Sequence, residues 1–404
     1  MKRLIYSFSS AFIGITKRYA GWRTGKILAA ALSVFPAVCA QTDARNFFAD
    51  NVGIYHWAGR QANGVASGIR AVLALNGSVV RIAVSPRMDI DYNRSSLCIP
   101  SFRLSNVLGD ADLRSALADP RLKVVMATVY DGASFADCRT PLYLNLAFYS
   151  EANTARMVAE YSDFVYRLHV LFAGTGKRFI LANWEGDNAI YCGSADGYAF
   201  SDEFRANCDR LYPEYYGGNA NPRESIEAMI LWHRARRRGV KSGIERARTE
   251  GLSGIDVLMA PEISAVRMLH DRGFASVLYD VLPRISFDYV SYSSWESLGA
   301  AKPADALASD LELIRSVSAS NRIIVGEMGF SRSAYGDRQL AAAQAYDDAA
   351  IRWGAAYIIY WSLYDSDPSN DFGLFDVNGA LTAIGAYYRS MFTVTAASRP
   401  TEVH

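Results

Sequence analysis

The sequence is poor in histidine and lacks the short motifs that identify several classes of enzyme. None of its five histidines has the spacing H-x-H or H-E-x-x-H, which argues against a metallohydrolase. The sequence contains no G-x-S-x-G, which disfavours a serine hydrolase with a nucleophile elbow, and no Walker-type loop. We therefore expect neither a metal ion nor another cofactor.

Acidic residues are absent from the first 40 positions, which hold six of the 42 Lys and Arg residues. An apolar run, Ile27 to Phe35, follows this basic leader, and Val38-Cys39-Ala40 offers small residues to a signal peptidase. We predict a signal peptide over residues 1–40, a secreted or periplasmic protein, and no stable membrane insertion after cleavage. The alternative is an uncleaved anchor, but the run is shorter than the ~20 residues that span a bilayer.

The remainder of the chain has a small excess of acidic residues. Without the leader, 36 basic residues face 41 acidic ones, so the net charge of this part is near −5. This balance argues against nucleic acid as a partner. The basic run His233 to Lys241 could contact an acidic polymer, but we interpret it as a solvated helix face because Glu227 and Glu245 are close in sequence.

Cysteine is scarce, and no C-x-x-C spacing suggests a metal site. The four cysteines after the leader are Cys98, Cys138, Cys192 and Cys208. An even number in an oxidising compartment suggests two disulfides. Of the three possible connectivities we favour Cys98–Cys138 and Cys192–Cys208, because each pair would join neighbouring loops. The alternative is four free buried thiols.

Short β-branched segments alternate with amphipathic helical segments along the body of the chain. The predicted strands are residues 52–57, 78–84, 122–130, 178–185, 255–261, 287–293, 322–327 and 356–361. The clearest predicted helices are residues 152–173, 222–249, 303–317, 338–353 and 380–391. Eight strand–helix units predict an α/β fold, a single (β/α)8 TIM barrel over residues 41–392, followed by a flexible tail at 393–404.

The alternative is an open doubly wound sheet. Such a sheet should show a G-x-G-x-x-G turn after its first strand, and Trp57-Ala58-Gly59-Arg60 does not match it. In a barrel, the long connections at residues 85–103, 131–151 and 186–221 lie where the strands end, which is the catalytic face.

Two of the predicted strands are apolar until they end in a glutamate. The fourth ends at Glu185, and the seventh ends at Glu327, which shares a face with Ile323 and Val325. A lone buried carboxylate is costly unless it is paired or hydrogen-bonded. Two carboxylates at one barrel mouth are what retaining glycoside hydrolysis requires. The alternative for either glutamate alone is a carboxylate that caps the following turn.

Polar and aromatic residues at other strand ends fit the same site. Arg81 interrupts the second strand and, pointing inward with Val79, would need a carboxylate partner, for which Glu327 is the obvious choice. The alternative is an outward arginine that pairs with a helix. Tyr292 is expected to donate its hydroxyl to Glu327, and the alternative is a buried barrel tyrosine. Four tryptophans lie at or just beyond strand ends, where a flat ring either contacts a sugar or fills the barrel: Trp57, Trp184, Trp295 and Trp361.

This arrangement resembles clan A of the retaining glycoside hydrolases, the (β/α)8 clan that includes cellulases, mannanases and xylosidases. The resemblance rests on Asn183-Trp184-Glu185 and Gly326-Glu327-Met328-Gly329 and covers about residues 51–391. It implies that Glu185 is the acid/base and Glu327 the nucleophile. It also implies supporting roles for the strand-end residues Arg81, Tyr292 and Trp361.

The sequence departs from the clan at one position. The clan usually has Asn immediately before the acid/base Glu, whereas Trp184 intervenes here. This departure weakens the assignment of Asn183 as the residue that binds the sugar 2-hydroxyl. It also leaves Asp187 as a less favoured acid, and Glu262 is a further carboxylate without a fixed role.

We therefore predict a monomeric retaining glycosidase that acts on a poly- or oligosaccharide. Glu185 should have a raised pKa before reaction, and the charge of Glu327 should help to raise it. The expected substrate-binding residues are Arg81, Asn183, Tyr292, Trp57, Trp295 and Trp361. The alternatives are a barrel that binds carbohydrate without catalysis and a transglycosidase that acts on cell-surface polysaccharide.

Overall fold

The computed structural model describes residues 44–57, 64–138, 140–216, 221–366 and 370–393. The predicted signal peptide and the predicted tail beyond residue 393 lie outside these residues, so both stay predictions.

Nine strand segments form one sheet in which every pair of neighbours is parallel. The order across the sheet is β5-β4-β3-β2-β1-β9-β8-β7-β6. The segments are β1 (Val52–Tyr55), β2 (Val79–Val84), β3 (Val124–Val129), β4 (Arg178–Ala182), β5 (Asp256–Ala260), β6 (Glu262–Ile263), β7 (Val290–Ser293), β8 (Ile323–Met328) and β9 (Tyr357–Trp361). Each lies within one of the predicted strands or extends it by a residue or two.

The fifth predicted strand accounts for the difference between nine segments and eight strands. Pro261 has no backbone N–H and divides this strand into β5 and β6. β5 pairs with β4, β6 pairs with β7, and the Pro261 carbonyl accepts a 2.8 Å hydrogen bond from the Ser291 N–H. The divided strand therefore closes the sheet, and the predicted TIM barrel is confirmed.

Helices follow the strands and cover the outside of the barrel. Those of eight or more residues in the described parts of the chain are α1 (Ala44–Asn51), α2 (Val65–Ala74), α3 (Ala111–Ala118), α4 (Glu151–Phe172), α5 (Asp202–Tyr216), α6 (Pro222–Thr249), α7 (Pro303–Val317), α8 (Gln339–Trp353) and α9 (Ala383–Thr393). Shorter helical turns include Met88–Asp91, Leu104–Val107, Gly186–Ile190, Ala195–Phe200, Trp295–Leu298 and Arg332–Tyr335. None of the helices in these described ranges has both the length and the hydropathy of a membrane span.

The longest helix, α6, begins at a capping signal in the sequence and packs against α4. The Asn221 side chain accepts hydrogen bonds from the N–H groups of Arg223 and Glu224, and Pro222 occupies the first turn, where its missing N–H costs nothing. Gly239 lets the two helices approach closely, because a Cβ there would lie 2.6 Å from Tyr161 Cβ. This contact fixes α4 and α6 beside the third and fourth strands.

Strand alternation creates two apolar layers. One lies inside the barrel and includes Val79, Met126, Ile180, Ile324 and Ile359. The other lies between the sheet and the helices. Both layers are buried, so the polar side chains at the upper ends of the strands are held by a rigid scaffold.

The two favoured disulfides are confirmed. Cys98–Cys138 has a Cα–Cα distance of 6.0 Å and joins the loops that follow β2 and β3. Cys192–Cys208, with a Cα–Cα distance of 5.9 Å, joins the loop after β4 to α5. Both bonds therefore tie segments at the end of the barrel where the strands terminate.

Candidate active site

Glu327 reaches the mouth of the barrel because β8 is irregular. Ile323 and Val325, with which it was expected to share a face, pack outward against the helices, whereas Ile324 lies inside. The register of β8 shifts against both neighbours near Gly326 and Glu327. Such a bulge re-aims the following side chain. The alternation argument for Glu327 was therefore wrong, although its carboxylate lies inside the mouth, within reach of Arg81.

Arg81 points inward, as predicted, and its side chain is fully buried. Its main partner is Glu262, with Nη1–Oε2 and Nη2–Oε1 distances of 2.6 and 2.8 Å. Its distance to Glu327 is longer, 3.7 Å from Nη1 to Oε2. The guanidinium also donates to Thr128 and lies 4.4 Å above the Tyr55 ring. The predicted ion pair with Glu327 is therefore present, but Glu262 is the closer partner.

Glu185 lies three residues beyond the end of β4, at the start of the turn Gly186–Ile190. Its backbone has a φ of 21°, which is rare for a residue with a side chain. Its carboxylate accepts hydrogen bonds from the Ser293 hydroxyl and from the Asn188 amide, and its N–H donates to Glu262 Oε1 at 3.1 Å. Hydrogen bonds therefore hold both carboxylate oxygens of Glu185, the residue predicted to be the acid.

Ser293 lies between the two candidate catalytic carboxylates. Ser293 pairs with Glu327 in the sheet register and donates its hydroxyl to Glu185. Trp295 donates its indole N–H to Glu327 Oε1 at 3.0 Å. Glu327 Oε2 is buried and has no hydrogen bond among the described residues. Oε2 therefore has acceptor capacity that no described residue fills.

Burial dominates the electrostatics of this pair. It raises the pKa of Glu185 to about 7, as expected in direction, with the negative charge of Glu262 contributing. Burial and the negative charge of Glu185 hold the pKa of Glu327 well above its ordinary value. Two such carboxylates titrate as a unit, so the pair retains a proton near neutral pH. Within this pair, the positive charge of Arg81 lies 3.7 Å from Glu327 and favours the negative charge there.

Tyr292 does not contact Glu327. Its hydroxyl lies 2.9 Å from Ser297 Oγ and donates to Asp310 Oδ2 at 3.1 Å, on the outside of β7. The inward positions of this strand are Ser291 and Ser293, because side chains alternate. The prediction of a Tyr292 hydrogen bond to Glu327 was wrong, and the alternative of a buried barrel tyrosine is confirmed.

Asn183 is directed at the neighbouring strand. Its Oδ1 accepts a 3.0 Å hydrogen bond from the Glu262 N–H, and its Nδ2 donates to the Glu262 carbonyl at 3.4 Å. The side chain is 1% exposed. These contacts bridge β4 and β6 beyond the point where the strands pair, so we no longer assign Asn183 to substrate.

The strand-end tryptophans lie around the carboxylates. Trp361 is in phase with Tyr357, as predicted, and packs edge-on against Tyr55 with ring centroids 4.9 Å apart. Trp57 lies 5.8 Å from Trp361 between ring centroids. Trp57, Trp295 and Trp361 are each partly exposed, so they are able to contact a ligand.

Sequence reasoning missed several polar residues of the site. Glu262 was left without a role, and Ser291, Ser293 and Asn188 were not considered. A usable signal was present, because Thr128, Ser291 and Ser293 are small polar residues in strands that are otherwise apolar. Among the described residues, no group of three or more His, Cys, Asp or Glu side chains is suited to a metal ion.

Comparisons with known proteins support the fold. A variant of a GH5_18 enzyme from Bifidobacterium longum subsp. longum, solved with Manβ1-4GlcNAc, superposes with a TM-score of 0.52 at 15% identity, covering 87% of this chain and 79% of that one. The resemblance to clan A barrels is one of fold. A GH5-4 broad-specificity endoglucanase from Bacteroides salanitronis gives a TM-score of 0.45 at 13% identity, covering 85% and 92%. No family model and no curated protein sequence matches the chain.

Proposed function

We propose that the protein is a retaining glycoside hydrolase that acts on a poly- or oligosaccharide. The observation that carries this proposal is the convergence of Glu185 and Glu327 in one barrel mouth. Both carboxylates are buried, the Ser293 hydroxyl donates to Glu185, Arg81 lies 3.7 Å from Glu327, and the charge of Glu185 raises the pKa of Glu327. Burying two acidic groups in one cavity opposes folding, and such costly groups cluster at functional sites.

Glu327 is the nucleophile in this proposal. Its free Oε2 attacks the anomeric carbon and forms a glycosyl-enzyme ester while the glycosidic C–O bond breaks. The indole N–H of Trp295 holds the other oxygen, and Arg81 stabilises the negative charge before the attack. These contacts orient the carboxylate without a hydrogen bond to the attacking atom.

Glu185 is the acid and then the base. Its raised pKa keeps a proton on the carboxyl near neutral pH, and that proton passes to the leaving oxygen. In the second step the resulting carboxylate takes a proton from water, which attacks the ester and releases the sugar with its original anomeric configuration. Asn188 and Ser293 keep Glu185 in place through both steps.

The proposal also covers how the sugar is bound and where the protein is located. Partly exposed Trp57, Trp295 and Trp361 would stack on sugar rings, since an indole offers a flat apolar face with few rotamers to fix. Two disulfides are typical of proteins that fold in an oxidising compartment, which supports secretion or a periplasmic location.

A panel of polysaccharides, assayed for new reducing ends and for the anomer of the first product, tests this function. We expect cleavage with retention, and we expect a Glu327→Gln variant to bind the glycan without cleaving it. Binding without turnover by the unaltered protein would favour a carbohydrate-binding barrel. Transfer products in the presence of an added acceptor sugar would favour a transglycosidase.

A further inference from the structure

Glu262 is a third carboxylate inside the barrel mouth, and its side chain is completely buried. Its Oε2 accepts hydrogen bonds from Arg81 Nη1 at 2.6 Å and from Ser291 Oγ at 2.7 Å. Its Oε1 accepts from Arg81 Nη2 at 2.8 Å and from the Glu185 N–H at 3.1 Å. A carboxylate has about four acceptor positions, so these donors fill them and leave none for a sugar.

Gly326 provides the space for this arrangement. A Cβ at this position would lie 1.9 Å from Ser291 Oγ and 2.6 Å from Glu262 Oε2. The Gly326 carbonyl also accepts a 2.8 Å hydrogen bond from Arg81 Nη1. The residue before the nucleophile is therefore in direct contact with both members of the ion pair.

We propose that Glu262 is a positioning residue that couples the two catalytic carboxylates, an inference that rests on the proposed function. It holds Arg81 beside Glu327, and it holds the backbone N–H of Glu185. It also neutralises the guanidinium, so that Arg81 offsets only part of the charge of Glu185 and Glu327. The catalytic pair then keeps the proton that general acid catalysis requires.

The charges around the pair agree with this role. The negative charge of Glu262 is among the influences that raise the pKa of both Glu185 and Glu327, and the positive charge of Arg81 lowers both. Replacing Glu262 by a neutral isostere should therefore free the charge of Arg81 to stabilise the two anions. The catalytic pair would then lose its proton at lower pH.

A Glu262→Gln variant tests the proposal. The free protein is titrated, and NMR of 13C-labelled glutamate carboxyls monitors the protonation of the catalytic pair. We expect the titration of the catalytic pair to move to lower pH by about one pH unit. On a cleaved glycan, the alkaline limb of kcat/KM should move with it. The control is Glu296→Gln, which removes a carboxylate that caps the N–H groups of Val266 and Met268 outside this network. An unchanged titration in the Glu262 variant would overturn the proposal.

A second variant serves if Glu262→Gln does not fold. Ser291→Ala removes one donor to Glu262 and loosens its hold on Arg81, so the titration of the catalytic pair should move in the same direction as in the first variant, by a smaller amount. No movement would count against the proposal. Because the titration needs no substrate, its failure is distinct from a failure of the proposed function, which the polysaccharide panel detects.

A different observation supports a second inference, on the outer face of α6. Arg234, Arg237, Arg238 and Lys241 are spaced so that they share one face of the helix. With Arg284 they line a cleft of about 670 Å³, which we name the basic cleft. Among the described residues that line it, none is acidic.

Of the two carboxylates close in sequence to this basic run, one pairs with a residue of the basic cleft and the other with an arginine outside it. Glu227 pairs with Arg284, and Glu245 pairs with Arg248 at 2.7 Å. Arg234, Arg238 and Lys241 form no ion pair among the described residues. Arg234, Arg238 and Lys241 are exposed, so the predicted solvated helix face is confirmed, although the two nearby acids pair with other arginines.

We infer that the basic cleft binds a polysaccharide that carries carboxylate or sulfate groups. Three unpaired cations supply charge complementarity, and half-buried Tyr149 at the cleft wall supplies a ring for a sugar face. The choice of a polysaccharide rests on the proposed function. A polysaccharide bound in the basic cleft would raise the local concentration of substrate.

Polygalacturonate, in affinity electrophoresis at low and high salt, is the probe. We expect retardation that salt weakens, and at least a 10-fold loss of affinity in an Arg234→Glu, Arg238→Glu, Lys241→Glu variant. The matched control reverses Arg121, Lys123 and Arg315, which already have acidic partners, and should bind normally. Equal loss in both variants, no retardation, or equal binding of single-stranded DNA would contradict the inference.

Discussion

The two ends of the barrel use similar residues with opposite consequences. At the base, where the strands begin, Arg178 pairs with Asp256 at 2.9 Å and donates to the Tyr357 hydroxyl at 2.7 Å. At the mouth, Arg81 pairs with Glu262 over the ring of Tyr55. The base pair is 34% and 54% exposed, whereas both side chains at the mouth are fully buried.

This difference shows where the fold tolerates an electrostatic cost. An exposed ion pair contributes little, because water solvates both charges equally well when they separate. At the mouth, one buried arginine faces three buried carboxylates, so negative charge is in excess and a proton must stay bound. The proposed chemistry uses that proton, and the base has no equivalent.

The largest expected difference between the two ends is in catalysis. Glu327→Gln removes the attacking oxygen anion, so turnover of a cleaved glycan should fall at least about 1,000-fold. Asp256→Asn, its counterpart at the base, should leave turnover within about twofold of the unaltered enzyme. Steady-state kinetics on both variants measures the two losses of turnover. Equal losses would show that the mouth of the barrel does not hold the catalytic site.

The next largest difference is in stability. Arg81→Ala leaves Glu262 buried without its counter-ion, so the free energy of unfolding should fall by about 3–5 kcal/mol. Arg178→Ala at the base should cost less than about 1 kcal/mol, since its partner remains solvated. Urea denaturation of both variants compares the two ends directly. A similar loss for both would contradict the contrast in burial.

A smaller effect is expected at Trp295. Trp295→Phe keeps an aromatic ring but removes the N–H donor to Glu327 Oε1. A hydrogen bond to a charged group contributes about 1.5–3 kcal/mol, so kcat should fall about 10- to 100-fold. The control is Trp353→Phe on α8, which also loses an indole and is measured in the same kinetic assay. An unchanged kcat would remove Trp295 from the mechanism.

The smallest expected effect depends on pH. Burial raises the pKa of Glu185 from 4.5 to about 7, so between these values the folded protein binds more protons than the unfolded chain. Stability should therefore decline as pH rises through this window. Glu185→Gln removes this loss and should unfold at higher urea than the unaltered protein at pH 8, by about 1–3 kcal/mol, but not at pH 4. A gain of equal size at both pH values would contradict the raised pKa.

The architecture could be predicted because it depends on local patterns. Helix α6 begins at Pro222, directly after the capping residue Asn221, and this signal is visible in the sequence. The apolar runs at β2, β3 and β9 likewise predicted buried parallel strands. Both disulfides followed from the positions of cysteines in neighbouring loops.

The contacts at the mouth could not be predicted in the same way, because they depend on small irregularities. The bulge in β8 turns Glu327 inward against the alternation of Ile323 and Val325. Pro261 divides a strand, and the next residue, Glu262, is the main partner of Arg81. Each irregularity redirects one side chain, and no periodic pattern records it.

Covalent trapping tests the division of labour between Glu185 and Glu327 most directly. The protein is incubated with a 2-deoxy-2-fluoro glycoside of the sugar that it cleaves, and its peptides are mapped by mass spectrometry. We expect one adduct per chain, on the peptide that contains Glu327. Turnover of the natural glycan with inversion and without any adduct, or an adduct on another carboxylate, would contradict the account.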